Sequence, residues 1–139
     1  MKIRNIFILS SIILVINLIW ELSHYFLYID KSGISPILHL LLASFTDMLI
    51  ILGIFLIISL RNKSINWINK PKKNDYFLII ILGLITASII EKVNLNLGRW
   101  AYTKLMPTIF GIGISPLIQL ATTAIISIYI FRILNEQFL

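Results

Sequence analysis

Three carboxylic acids stand inside long apolar runs of this sequence: Glu21, Asp47 and Glu91. A carboxylate near the centre of a membrane helix costs about 2.5–3.5 kcal/mol to insert, against about 0.3–0.6 returned by each Leu or Ile. Acids at such positions must face a protein interior and find partners there, and they mark functional sites. Carboxyl groups in a low-dielectric site suit general acid or base work, so Glu21, Asp47 and Glu91 are the candidate catalytic groups. Glu21 and His24 lie three residues apart and share one helix face. A Glu-x-x-His pair at this spacing gives two ligands to one metal in carboxylate-bridged helical bundles. Glu21, His24, Asp47 and Glu91, with His39 as a further donor, could therefore hold a divalent metal. A second Glu-x-x-His pair is missing, because Asn94 follows Glu91 at the third position. For Glu21 and His24 alone, a hydrogen bond that satisfies two buried polar groups is the simpler reading.

Four further residues could bind a substrate. Arg99, Trp100 and Tyr102 form a short polar and aromatic cluster suited to an anionic head group, or to an ordinary interfacial belt. Gln119 lies inside the last apolar run, where it bonds a neighbouring helix or a ligand. His39 reads as an interfacial residue. The sequence has no cysteine, which excludes a zinc thiolate site, a disulfide framework and a cysteine nucleophile. No cofactor motif is present.

The elements that must position these residues are apolar runs at about 6–29, 36–60, 76–97 and 108–134. A helix crosses the hydrocarbon with about 20 mostly apolar residues, and each run is long enough. The chain is 58% hydrophobic and 13% charged, far from the roughly 45–50% and 25% of soluble domains. The expected fold is all-α: one domain over residues 1–139, a multi-pass membrane protein with four transmembrane helices in a compact bundle. The first run is too long for a signal-peptide core and no small-x-small cleavage pattern follows it, so it is expected to stay as a helix.

Basic residues set the orientation. Lys2 and Arg4 precede the first run; Arg61, Lys63, Lys70, Lys72 and Lys73 fill loop 61–75; Arg132 marks the last end. The other two connections carry only Lys31, and Arg99 with Lys104. The positive-inside rule then puts both termini and loop 61–75 in the cytoplasm of a cell membrane. This distribution accounts for the net charge of +6 without nucleic acid as a partner; membrane lipids are the expected partners, and a homodimer is allowed. Trp67, in the basic loop, is expected at the interface.

Ser115-Pro116 reads as an N-cap followed by proline in the first turn, a preferred helix start. Residues 98–114 would then be an outer lid, the alternative being a longer helix kinked at Pro116. Pro107, Gly111 and Gly113 favour the lid. Gly83 and Ala87, four apart, would let the third helix approach a neighbour closely. At 1.5 Å per residue, Glu21 lies about 12 Å and Asp47 about 16 Å below the outer ends of their helices. All the intramembrane polar groups fall in the outer half or at mid-depth, and the inner half holds little beyond Ser and Thr.

Trp20-Glu21 with Tyr28, Ala43-Ser44 with Asp47, Glu91, Arg99-Trp100-Ala101-Tyr102, Met106-Pro107 and the run Gly111-Ile112-Gly113-Ile114-Ser115-Pro116-Leu117-Ile118-Gln119 resemble a family of small prokaryotic four-span membrane proteins. The resemblance covers most of the chain and is most specific in its last third. It implies a compact bundle with acidic residues at shared positions, and it carries no activity with it. A weaker likeness, through Gly98-Arg99-Trp100-Ala101-Tyr102 and an intramembrane carboxylate, is to membrane proteins of the lycopene cyclase type. Three functions fit the residues: a membrane-embedded enzyme acting on a lipid or isoprenoid, a small proton-coupled transporter or lipid translocator, and a partner subunit of a membrane complex. The lack of polar groups in the inner half favours the enzyme.

Overall fold

The computed structural model describes residues 3–138, so Lys2 lies outside the described part of the chain. Four helices make the fold: α1 (Ile3–His24), α2 (Pro36–Asn62), α3 (Lys73–Asn96) and α4 (Ile114–Phe138). All four are long and apolar enough to cross a membrane. The chain is an all-α, four-span membrane bundle. Two short antiparallel strand pairs decorate one end: β1 (Tyr28–Asp30) with β2 (Trp100–Tyr102), and β3 (Thr108–Ile109) with β4 (Ile112–Gly113).

Local chemistry sets the helix ends. Pro36 opens α2, where its missing N–H leaves no bond unmade. Lys63 closes α2 in the left-handed region at φ 51°, its N–H returning to the carbonyls of Leu60 and Ser59. Asp75 starts α3 by accepting the backbone N–H of Lys72 at 2.8 Å.

Two boundaries differ from the apolar runs. The run at 6–29 is helical only to His24, because the chain then makes a single 3-10 turn and pairs Tyr28–Asp30 with Trp100–Tyr102. The run at 108–134 becomes helical at Ile114; residues 108–113 are a tight hairpin instead. Phe110 and Gly111 form its turn at φ 52° and 78°, the positive pair that a two-residue hairpin turn demands.

Helix α1 packs between α2 and α4, and α3 lies against the other face of α4. Helices α2 and α3 meet sparsely. Their side-chain ties sit beside the short connector, where Asn62 Nδ2 donates to Asp75 Oδ1 at 2.8 Å and Arg61 reaches the same carboxylate at 3.6 Å. The connector is a 3-10 helix over Ile65–Asn69 that folds back beneath the bundle. It buries Trp67, which donates to Ser59 Oγ at 2.9 Å and meets Phe55 edge-on, so Trp67 is a core residue and not an interfacial one.

Apolar packing fills this connector half. Ile13, Ile51, Ile58, Ile79, Ile128 and Phe131 are fully buried there. The polar intramembrane residues gather in the other half, beneath the two strand pairs. Lipid tails are as apolar as these side chains, so helix association rests on close packing and interhelical hydrogen bonds.

The close packing is measurable at Gly83. A Cβ placed there would stand 2.9 Å from the backbone nitrogen of Ala121, an atom that cannot move aside. Gly83→Leu is expected to lower the thermal midpoint in detergent by the equivalent of about 1–3 kcal/mol or more, the usual cost of overpacking. Gly53, which has nothing within 4 Å of such a Cβ, provides the control: Gly53→Ala should hold or raise the midpoint. Equal behaviour of the two variants would contradict the α3–α4 contact.

Candidate functional site

Where α2 and α3 diverge, a cavity of about 560 Å³ opens below the strand pairs. Every helix contributes to its wall. Glu21, His24 and Tyr25 come from α1 and the turn after it, and His39, Ala43 and Asp47 from α2. Ala87, Glu91 and Asn94 come from α3, and Pro116, Gln119 and Leu120 from α4. Arg99 and Trp100 close it from the loop side. Of the residues singled out from the sequence, Glu21, His24, Asp47, Glu91, Arg99, Trp100 and Gln119 therefore share one wall; Tyr102 stands behind Glu91.

The acids are held in two different ways. Gln119 is buried in α4, and its Nε2 donates to Glu21 Oε1 at 2.8 Å and to Asp47 Oδ2 at 2.6 Å. An amide nitrogen carries two hydrogens, and these two carboxyls take both. Asn17 Oδ1, fully buried just below, lies 3.5 Å from the same nitrogen and accepts instead from Thr123 Oγ1 at 3.1 Å. One side chain of α4 thus joins an acid from α1 to an acid from α2.

Glu91 is held by the loop residues. Tyr28 OH donates to Oε1 at 3.3 Å, Trp100 Nε1 donates to Oε2 at 3.3 Å, and Tyr102 OH donates to Oε2. Tyr102 OH in turn accepts the Gly113 N–H at 2.9 Å. The strand register explains the convergence, since Tyr28 stands opposite Tyr102 in the β1–β2 pair. Burial, followed by the neighbouring Glu91, pushes both phenols well above their ordinary range, so they stay hydrogen donors.

Two candidates behave differently from their expected roles. Arg99, in the outer connection a natural cation to neutralise the intramembrane acids, meets no carboxylate among the described residues; its Nη1 donates to Asn94 Oδ1 at 3.0 Å. The His24 Nδ1 donates to the Trp20 carbonyl at 2.6 Å, leaving Nε2 at 3.9 Å from Glu21 Oε2, beyond hydrogen-bond range. For the divalent metal, no group of three or more His, Asp or Glu side chains among the described residues is arranged to hold an ion. Gln119 stands between Glu21 and Asp47 at the place where a shared ligand would have to sit.

Sequence reasoning missed Asp30 and undervalued His39. Asp30 Oδ1 accepts the Ser32 N–H at 2.8 Å, and Oδ2 receives His39 Nδ1 at 2.5 Å. Burial would raise the Asp30 carboxyl, but the hydrogen bonds from Ser32 and His39 outweigh it and hold the group below the ordinary carboxylate range. The Asp-x-Ser spacing of an Asx turn was the signal available in the sequence.

No protein-family profile, curated protein or solved structure matches this chain.

Proposed function

We propose that this protein is a membrane-embedded acid–base enzyme acting on a lipid or isoprenoid substrate. The observation that carries this reading is the cavity: about 560 Å³, within the usual range of small-molecule sites, with two carboxyls on one amide at its base and apolar walls around them. Two carboxyls on one site repel unless a proton lies between them, and a proton so held can be given to a substrate and recovered. Glu21 and Asp47 are the catalytic pair, and Gln119 orients both. Glu91, spanned by three donors, braces the loop wall; Trp100 and Arg99 form the side on which a head group rests. The substrate's hydrocarbon enters from the bilayer through the gap between α2 and α3, lined by Leu42 and Ala43 of α2 and by Ala87 and Ile90 of α3.

In this reading the cavity end faces outward and both termini lie in the cytoplasm of the cell membrane, as the basic residues of loop 61–75 favour. A translocator needs polarity through the full depth of the bundle. The connector half is instead packed with Ile and Phe, and this favours a site closed at its base.

The test uses protein purified into nanodiscs from its host membrane, with co-purifying lipid identified by mass spectrometry. In heavy water, wild type is expected to place deuterium on a carbon of its bound lipid. Asp47→Asn should retain that lipid and lose the exchange by at least about 100-fold, the scale of one general acid or base. Ala43→Phe, which fills the cavity from a half-buried position, should lose the lipid itself. Retained lipid in Ala43→Phe, or exchange unchanged in Asp47→Asn, would sink the reading.

A further inference from the structure

Beyond the carboxyl pair, the cavity holds a second constellation able to move a proton. His39 stands one turn into α2, on the cavity wall, about 12 Å along the helix axis from Asp47 at 1.5 Å per residue. Its Nδ1 is committed: Asp30 Oδ2 lies at 2.5 Å, and Ser32 Oγ at 3.5 Å is a distant second neighbour. Asp30 is itself fixed by the Ser32 N–H and by its place in β1, opposite Trp100. The Trp100 ring lies against the imidazole, centroids 6.3 Å apart and planes at 39°. Among the described residues, His39 Nε2 has no hydrogen-bond partner.

This commitment decides which nitrogen can work. A carboxylate only accepts, so the hydrogen of this contact rides on Nδ1 whatever the charge of the ring. Any proton gained or lost must then pass through Nε2. The arrangement has the logic of a carboxylate that fixes the tautomer and orientation of a neighbouring histidine.

We infer that His39 is a proton-transferring base of this cavity, working through Nε2, with Asp30 as its positioning residue. In the step, a donor in the cavity (a water or the substrate's polar end) loses its proton, and the O–H electron pair stays on oxygen. The N–H bond forms at Nε2, and the imidazolium so created faces the Asp30 carboxylate. The reverse transfer returns the proton to water at the cavity mouth. The other titratable groups around it are Glu21 and His24 from α1, Tyr25 from the turn after it, Tyr28 from β1, Asp47 from α2, Glu91 from α3, and Arg99 before β2. The inference rests on the cavity being an acid–base site, but it is tested without turnover.

The chain has two histidines, so protein labelled with ¹⁵N only in histidine gives a spectrum of four ring nitrogens. His39→Gln assigns them, since His24 also donates through Nδ1. In nanodiscs, with the ring neutral, His39 is expected as the Nδ1–H tautomer with a bare Nε2, and Asp30→Asn should release it to the commoner Nε2–H form. Diethyl pyrocarbonate, which attacks an unprotonated imidazole nitrogen, should label His39 at least about tenfold faster than the buried His24. Ala43→Phe should slow the labelling of His39 several-fold. An Nε2–H tautomer in wild type, or a labelling rate that the filled cavity leaves unchanged, overturns the inference. Failure of the deuterium exchange with the tautomer and labelling as described would instead overturn the enzyme and leave the dyad standing.

Discussion

Gln119→Leu is expected to be the most destabilising single change in the cavity half of the bundle. Its Nε2 serves Glu21 at 2.8 Å and Asp47 at 2.6 Å at once. Leucine of similar size would strip the amide donor from both carboxyls at once. A buried acceptor stripped of its partner costs about 1–3 kcal/mol, more where it carries charge, so a loss of about 3 kcal/mol or more is expected. Thermal unfolding in detergent measures it. The same physics fixes the sign of a second measurement. Asp47→Leu in the Gln119→Leu background removes one of the two stranded acids and should recover part of the loss. The double variant should then sit well short of the sum of the singles, by about 0.5–3 kcal/mol, as coupled neighbours do. Additivity would mean that Gln119 does not join the two acids.

The four spans could be read from the sequence because membrane insertion depends on the length and apolarity of each segment taken alone. Depth was readable for a related reason: helical rise is constant, so Glu21, Asp47, Glu91 and Gln119 could be placed in the same half of the bundle before any contact was known. Their partners were not readable. Whether Gln119 bonds a helix or a ligand depends on how α1, α2 and α4 rotate about their axes, and the apolar stripes here are too uniform to fix that rotation. Arg99 shows the limit of charge counting. It is the first cation of the connection that follows the helix of Glu91, yet the turn after α3 brings it to Asn94. The strand pairing was hidden for a different reason. Tyr28–Asp30 meets Trp100–Tyr102 across some seventy residues of chain, and three-residue strands leave no periodic trace. Asp30 and His39 were lost with it, because the β1–β2 pair is part of what sets Asp30 beside the first turn of α2.

Glu91→Leu should free the loop end of the protein while leaving the bundle folded. Three donors converge on this one carboxylate, from Tyr28 in β1 and from Trp100 and Tyr102 in β2. Through the Tyr102 hydroxyl and the Gly113 N–H it also reaches β4 at the entry to α4. The apolar core lies in the opposite half, and beside Glu91 the tie from this loop to α3 is Arg99, bonded through its side chain and its N–H to Asn94. A typical hydrogen bond contributes about 0.5–1.5 kcal/mol net, and two of these three are long at 3.3 Å, so losing all three together should raise local opening by well over an order of magnitude. Hydrogen exchange reads this at two amides that close the β1–β2 pair: Lys31, bonded to the Arg99 carbonyl at 3.0 Å, and Thr103, bonded to the Leu27 carbonyl at 2.9 Å. Both should exchange on the order of a hundredfold faster in the variant, while amides in the middle of α3 and α4 keep their protection. Tyr102→Phe removes one donor and should give a smaller acceleration at the same amides. Unchanged exchange at Lys31 and Thr103 would mean that the strands hold themselves. Glu91 would then belong to the catalytic machinery and not to its frame, since a carboxylate without structural work in so costly a position needs another reason to be there.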